Sequence, residues 1–171
     1  MPTSATVSVM EYLSTSYRPD QEMLEGELVP RNVGEYEHSN LQGALVACLR
    51  RRQREWNIRV LPEQRIRVSA SRFRVPDVCV VAREQEVEAV FSRPPLICIE
   101  VLSKDDTLRS MQDRLDDYRV FGVANIWLLD PVKRRAYPCM QGDFREPEGG
   151  ILEVANTPIR LALNELFADL D

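Results

Sequence analysis

Two nearly continuous apolar runs, LICIEVLS (residues 96–103) and VANIWLLD (residues 123–130), dominate the hydrophobic pattern of the chain. Runs of this kind, bounded by polar segments, predict strands covered on both faces. Between them Leu108, Met111, Leu115 and Tyr118 recur at helical spacing, and Gly122 is placed to stop a helix over residues 108–121. Strand, helix and strand within about 35 residues predict a right-handed parallel crossover.

The first half is patterned differently. Residues 24–30, LEGELVP, alternate apolar and polar and predict a strand, followed by a loop through Asn32, Val33 and Gly34. A helix follows, capped by Ser39 or Asn40, with Leu41, Leu45, Cys48 and Leu49 on one face. Residues 57–82 predict two or three strands broken at Pro62 and near Ser69–Ser71, with Arg65, Ile66, Arg67 and Val68 alternating as in a half-buried antiparallel strand. After residue 130 the pattern predicts a hairpin through Pro131–Lys133, a strand at RAYPCM, a loop at Glu148–Gly150 and a short helix over Leu163–Leu170. The expected class is α/β, a mixed sheet flanked by helices. One domain is expected over residues 1–171: a lead-in at 1–20, a core at about 22–140, and a C-terminal hairpin and helix at 141–171.

Composition narrows the setting. The chain is 44% hydrophobic, enough for a sizeable core, but no segment approaches the roughly 20 apolar residues of a membrane span. The first twenty residues lack the basic-then-apolar pattern of an export signal, so a soluble, cytoplasmic protein with no membrane partner is expected. Cys48, Cys79, Cys98 and Cys139 form no CxxC pair and read as reduced, buried thiols, and the chain's one histidine, His38, leaves a structural zinc site without ligands. The net charge of −5 is unevenly spread: residues 31–83 carry eleven arginines against five acids, and residues 84–171 carry ten basic residues against seventeen acids.

Two carboxylates stand where carboxylates are costly. Glu100 interrupts a strand predicted to be buried on both faces, and Asp77 opens the strand VCVVA directly after Pro76. Either each is paired, Asp77 in a turn and Glu100 with a buried arginine, or the two share a hard divalent cation, Mg²⁺ or Mn²⁺, able to polarise a phosphodiester.

The segments RVPDVCVV, LICIEVLS and DRLDDYRVFGVANIWLLDP, with LEGELV and His38 ahead of a helix, resemble the Uma-two family, a restriction-endonuclease branch of the PD-(D/E)XK nuclease superfamily. The likeness covers roughly residues 22–140. It implies a restriction-endonuclease-like core and a metal-dependent endonuclease acting on DNA, or a degenerate binding module of the same fold. It also implies that Asp77, Glu100 and the carbonyl of Val101 ligate Mg²⁺ or Mn²⁺, and that the protein is a homodimer. The lysine expected two residues after the motif acid is Leu102 here, and the helix position to which this branch moves it is Arg114. Arginine cannot act as a base, although it can orient water or stabilise developing charge.

Other candidates carry two readings each. Lys104 substitutes for the missing lysine or is a solvated loop residue. Ser103 bonds a metal-bound water or caps the next helix. Glu27 is a further acid of the site, as the resemblance implies, or the polar face of a strand, and His38 acts near the phosphate or lies in an exposed loop. Arg50, Arg51 and Arg54, joined by Arg72 and Arg74, contact nucleic-acid phosphates, or the helix-end cluster complements the helix dipole. Trp56 and Trp127 read as packing residues.

Overall fold

The computed structural model describes residues 6–31, 34–140 and 142–170. The Asn32 and Val33 of the expected loop, and residues 1–5 of the lead-in, lie outside the described residues. Helix α1 (Val9–Ser14) is capped by Ser8 and buries Tyr12.

The alternation in LEGELVP is not one strand. It crosses a hairpin from β1 (Gln21–Leu24) to β2 (Glu27–Pro30), in which Leu24 pairs with Glu27. The two turn residues, Glu25 and Gly26, both have positive φ, 51° and 86°. That is the conformation a tight hairpin needs to match strand twist. An alternating pattern continues unbroken across a turn of two residues, so periodicity alone does not reveal it.

Helix α2 (Tyr36–Arg52) starts earlier than expected, at an N-cap Glu35 that makes no side-chain cap bond, so Ser39 and Asn40 lie inside it. Leu41, Leu45 and Leu49 are fully buried, each contributing roughly 1.5–3 kcal/mol of burial, whereas Cys48 is only half-buried. Strands β3 (Ile58–Pro62), β4 (Ile66–Ser69), β5 (Arg72–Arg74), β6 (Val78–Ala82) and β7 (Ile97–Val101) follow. Helix α3 (Leu108–Phe121) then leads to β8 (Asn125–Asp130) and β9 (Arg135–Pro138). Helix α3 ends where the sequence predicts, at Gly122 with φ 98°, and begins with a capping box between Thr107 and Ser110. Of its predicted stripe, Leu108 is exposed and Met111, Leu115 and Tyr118 are buried.

The strands form a five-stranded sheet ordered β3-β6-β7-β8-β9 and a four-stranded sheet ordered β2-β1-β5-β4. In the first, β7 and β8 are parallel and the other pairs antiparallel, so the sheet is mixed. Strands β10 (Ile151–Glu153) and β11 (Arg160–Ala162) pair as a separate hairpin ahead of α4 (Leu163–Ala168). Alternation along β7 sends Ile97, Ile99 and Val101 into a core with α2 and α4, and Cys98 into a second core with α3. Glu100 therefore faces α3. Among the described residues no helix is long and apolar enough to cross a membrane.

Candidate active site

Strands β6 and β7 run antiparallel with Val78 opposite Ile99. Asp77 precedes Val78 and Glu100 follows Ile99, so extending the register by one residue sets the two acids across from each other. Opposed residues of an antiparallel pair point to one face with Cβ atoms roughly 4.5–5.5 Å apart. The Val101 N–H donates to Asp77 Oδ2 at 2.8 Å and locks this juxtaposition. Both acids are buried, with exposures of 4% and 1%.

Neither acid is unpaired. Arg31 donates to Asp77 Oδ1 at 2.9 Å, and His38 Nε2 lies 3.2 Å from Asp77 Oδ2. Glu100 Oε2 accepts from Arg114 at 2.9 Å, and Glu100 Oε1 accepts a short bond from the Tyr118 hydroxyl. Arg114 and Tyr118 are four residues apart on α3, so one helical face delivers both to the same carboxylate. Beside them Glu22 of β1 accepts from Arg74 at 2.6 Å and from the Val75 N–H at 3.0 Å. Arg74 also donates to Asp117 of α3 at 2.6 Å, which ties the smaller sheet to that helix.

Glu22, Arg31, His38, Arg74, Asp77, Glu100 and Arg114 line one cavity of about 130 Å³. Burial pushes Glu100 up to about 7, opposed by Arg114 and assisted by the neighbouring charge of Asp77. Burial acts on Asp77 in the same direction but is outweighed by the hydrogen bond and charge of His38 and by Arg31, so its carboxyl is held below the usual range. The bond to Asp77 in turn raises His38 against the opposing effect of burial. Two adjacent acids are thus driven apart, one ionised and the other titrating near neutrality.

The expected residues divide clearly. Asp77, Glu100, Val101, Ser103, Arg114, His38 and Arg74 all line the cavity. His38 is not in a loop but in the first turn of α2, where the helix start aims it at Asp77. Ser103 does not cap α3: its N–H and hydroxyl both bond Asp106, and Thr107 is the cap. Lys104 lies apart, exposed and held by Glu35, and lines a neighbouring pocket of about 290 Å³. The acid contributed by the first hairpin is Glu22, because Glu27 is exposed at the start of β2 and does not line the cavity. Arg72 is pinned to Asp117 at 2.9 Å. Arg50 bonds the Val60 carbonyl and Arg51 bonds Asp169. Arg50 and Arg51 lie in the last turn of α2, roughly 18 Å along the axis from His38, and Arg54 in the turn that follows.

The residues missed from the sequence are Arg31, Glu22 and Tyr118. Arg31 meets Asp77 across 46 positions and carries no local signal. Tyr118 was legible as a stripe residue, and a buried hydroxyl on such a stripe needs an acceptor.

The donors suit a hard cation, but the arrangement does not offer them to one. All four oxygens of Asp77 and Glu100 already face hydrogen-bond donors, two of which are guanidiniums. Among the described residues no group of three or more His, Cys, Asp or Glu side chains is placed to hold a metal. A divalent ion fits here only after Arg31 and Arg114 have let go.

The Uma2 family, described as "Putative restriction endonuclease", matches residues 10–168. The chain belongs to this family. A solved structure described as a "putative nuclease belonging to DUF820" from Anabaena variabilis superposes with a TM-score of 0.79 at 20% identity, over 96% of this chain and 99% of that one. This likeness shows that the two share a fold, a mixed sheet flanked by helices. A DrdV–DNA complex aligns 75% of this chain with 11% of its own at 17% identity and a TM-score of 0.45, too low to carry an argument. No curated protein matches the sequence.

Proposed function

We propose that this Uma2-family chain is an endonuclease that hydrolyses phosphodiester bonds in DNA with Mg²⁺ or Mn²⁺. The observation that carries the reading is the convergence of Asp77 and Glu100, from adjacent strands, in a cavity they share with Arg31, Arg74 and Arg114. Arginine's planar fork matches the oxygens of a phosphate, and Arg31, Arg74 and Arg114 supply three such forks in a lining that also carries the acids Glu22, Asp77, Glu100, Asp106 and Asp113. Arg114 keeps its guanidinium charged, so its part is to hold phosphate and stabilise charge that develops on it. Glu100, raised to about 7, holds or accepts a proton close to neutral pH. Asp77 and Glu100, once released, would hold the ion, whose chemistry would be to polarise the diester. The homodimer implied by the resemblance belongs to the same proposal and is read by sedimentation.

The test is incubation of supercoiled plasmid with the protein in Mn²⁺ and in Mg²⁺, beside Asp77→Ala. Nicking or linearisation by the wild type alone is expected, and equal cleavage by the variant would remove the assigned site. A second reading, a binding module that no longer turns over, is favoured by one observation: both acids are neutralised by arginines, one of them at the position where the family resemblance expects lysine. Retention of DNA in a gel-shift assay without cleavage in either metal would select it.

A further inference from the structure

Strand β3 is an edge of the larger sheet, with β6 on its one paired side. On that side the Asn57 carbonyl accepts from the Arg83 N–H at 2.8 Å. Carbonyls alternate in direction along a strand, so those of Ile58 and Val60 face the free edge. Each is met by an arginine. Arg50 donates to the Val60 carbonyl from Nε at 3.3 Å and from Nη2 at 3.2 Å, and Arg83 donates to the Ile58 carbonyl from Nη2 at 3.4 Å. Arg59, on the strand itself, bonds the Gln85 carbonyl at 2.8 Å, and Arg54 is exposed in the turn before the strand.

A backbone carbonyl fixes a guanidinium without cancelling its charge. Among the described residues no carboxylate pairs with Arg50, Arg59 or Arg83, whereas Arg51, Arg72 and Arg74 are neutralised by acids. The acids near the edge are engaged: Glu55 by Arg52 at 2.9 Å, Asp169 by Arg51 at 3.2 Å and Glu63 by Arg31 at 3.4 Å, while Glu84 accepts from Asn57 at 3.1 Å. Of these, Glu84 alone has no cation beside it, so positive charge is in excess along the edge. Arg50 and Arg83 are exposed and keep further donors of their five free for a partner, and being already anchored they lose less freedom on binding.

Spacing and direction then suggest the partner. The two anchoring carbonyls are two residues apart, roughly 7 Å along the strand. Fixed positive charges in a row suit a polyanion of regularly repeated charge, the phosphate backbone of nucleic acid. The row also leads to the cavity. Beyond Val60 the strand reaches Pro62, opposite Val78, and the Glu63 N–H donates to the Asp77 carbonyl at 3.2 Å.

We propose that the free edge of β3 is a docking surface for one phosphate backbone of duplex DNA, held by Arg50 and Arg83 with Arg54 and Arg59 beside them, and directed along the strand toward the cavity at Asp77. The inference rests on the reading of DNA as the substrate and adds where the uncleaved part of the duplex lies. Contacts of this kind set the register of the duplex and read no sequence.

The experiment is fluorescence anisotropy of a fluorescein-labelled, twenty-base-pair duplex titrated with the full chain in EDTA, which stops metal-dependent cleavage, at several NaCl concentrations. In Arg50→Gln/Arg83→Gln the affinity at roughly 0.1 M salt should fall about tenfold or more, and the slope of log K against log salt should become shallower by about 1.8, each phosphate contact contributing about 0.9. Arg50→Lys/Arg83→Lys keeps the charge and should keep most of that slope. Arg145→Gln/Arg160→Gln removes the same net charge at two other exposed positions and should leave the affinity within about twofold. Should the first variant fail to fold by circular dichroism, Arg83→Gln alone should make the slope shallower by about 0.9. Unchanged affinity and slope in the glutamine variants of Arg50 and Arg83, or an equal loss in Arg145→Gln/Arg160→Gln, would overturn the proposal and leave these arginines only as guards of the sheet edge. Plasmid cleavage in Mn²⁺ is measured separately: cleavage by the wild type with undiminished binding by Arg50→Gln/Arg83→Gln leaves the nuclease reading standing and removes this one, whereas diminished binding without cleavage by the wild type does the reverse.

Discussion

Glu100 has the sharpest chemistry of any single residue in the chain. Burial raises its carboxyl from 4.5 to about 7, so the fold favours its protonated form. The contribution of this group to stability is therefore fully present below about 4.5 and is lost as pH rises through about 7. Carboxyl-carbon NMR should give Glu100 a midpoint near 7, and in Glu100→Gln the fall in unfolding free energy between those pH values should flatten. An ordinary midpoint near 4.5 would contradict this account of the pocket. The thiols carry a second prediction at this scale. Cys79, Cys98 and Cys139 are buried, with Cys139 pushed up to about 11 by burial, and Cys48 is half-buried. Alkylation of the native protein at pH 8 should modify Cys48 first and the other three only on unfolding, as peptide mass mapping would read.

Among the elements, those with strong periodicity were legible and those that depend on turns were not. Helix α3 matches its sequence pattern from Leu108 to Phe121 because an apolar stripe and a terminal glycine reinforce each other. The buried run of β7 identified both the central strand and the anomaly of Glu100 within it. The hairpin of β1 and β2 was hidden because its turn occupies only Glu25 and Gly26, and the start of α2 because Glu35 lacks a side-chain cap. Gly26 gives this element its test. At φ 86°, an added Cβ would sit 3.3 Å from both the Thr6 Cβ and the Val7 carbonyl oxygen. Gly26→Ala should destabilise the protein by about 1–2 kcal/mol in urea unfolding, with the m-value unchanged. Because β1 carries Glu22, the variant should also weaken DNA binding if the hairpin loosens.

Across the whole molecule, the sequence yields the sheet and two of its acids, and the fold supplies their surroundings. Asp77 and Glu100 stand out from apolar runs by local contrast, whereas Arg31 reaches Asp77 across 46 positions and Glu22 joins the cavity through Arg74 and Val75, separations that no local pattern encodes. The basic half of the sequence likewise does not form one surface. Arg74 enters the cavity, while Arg50 and Arg51 lie at the far end of α2 and Arg54 in the turn that follows. The site is assembled where β6 and β7 meet the first turns of two helices and the small sheet, so its acids should act as one unit. A double-mutant cycle on plasmid cleavage in Mn²⁺ tests this most directly, using Asp77→Asn, Glu100→Gln and the two combined. Each single variant should lose on the order of 10²-fold or more, and the combination should be no worse than the poorer single. Losses that multiply in the combined variant, or a single variant that cleaves like the wild type, would contradict one centre built on Asp77 and Glu100.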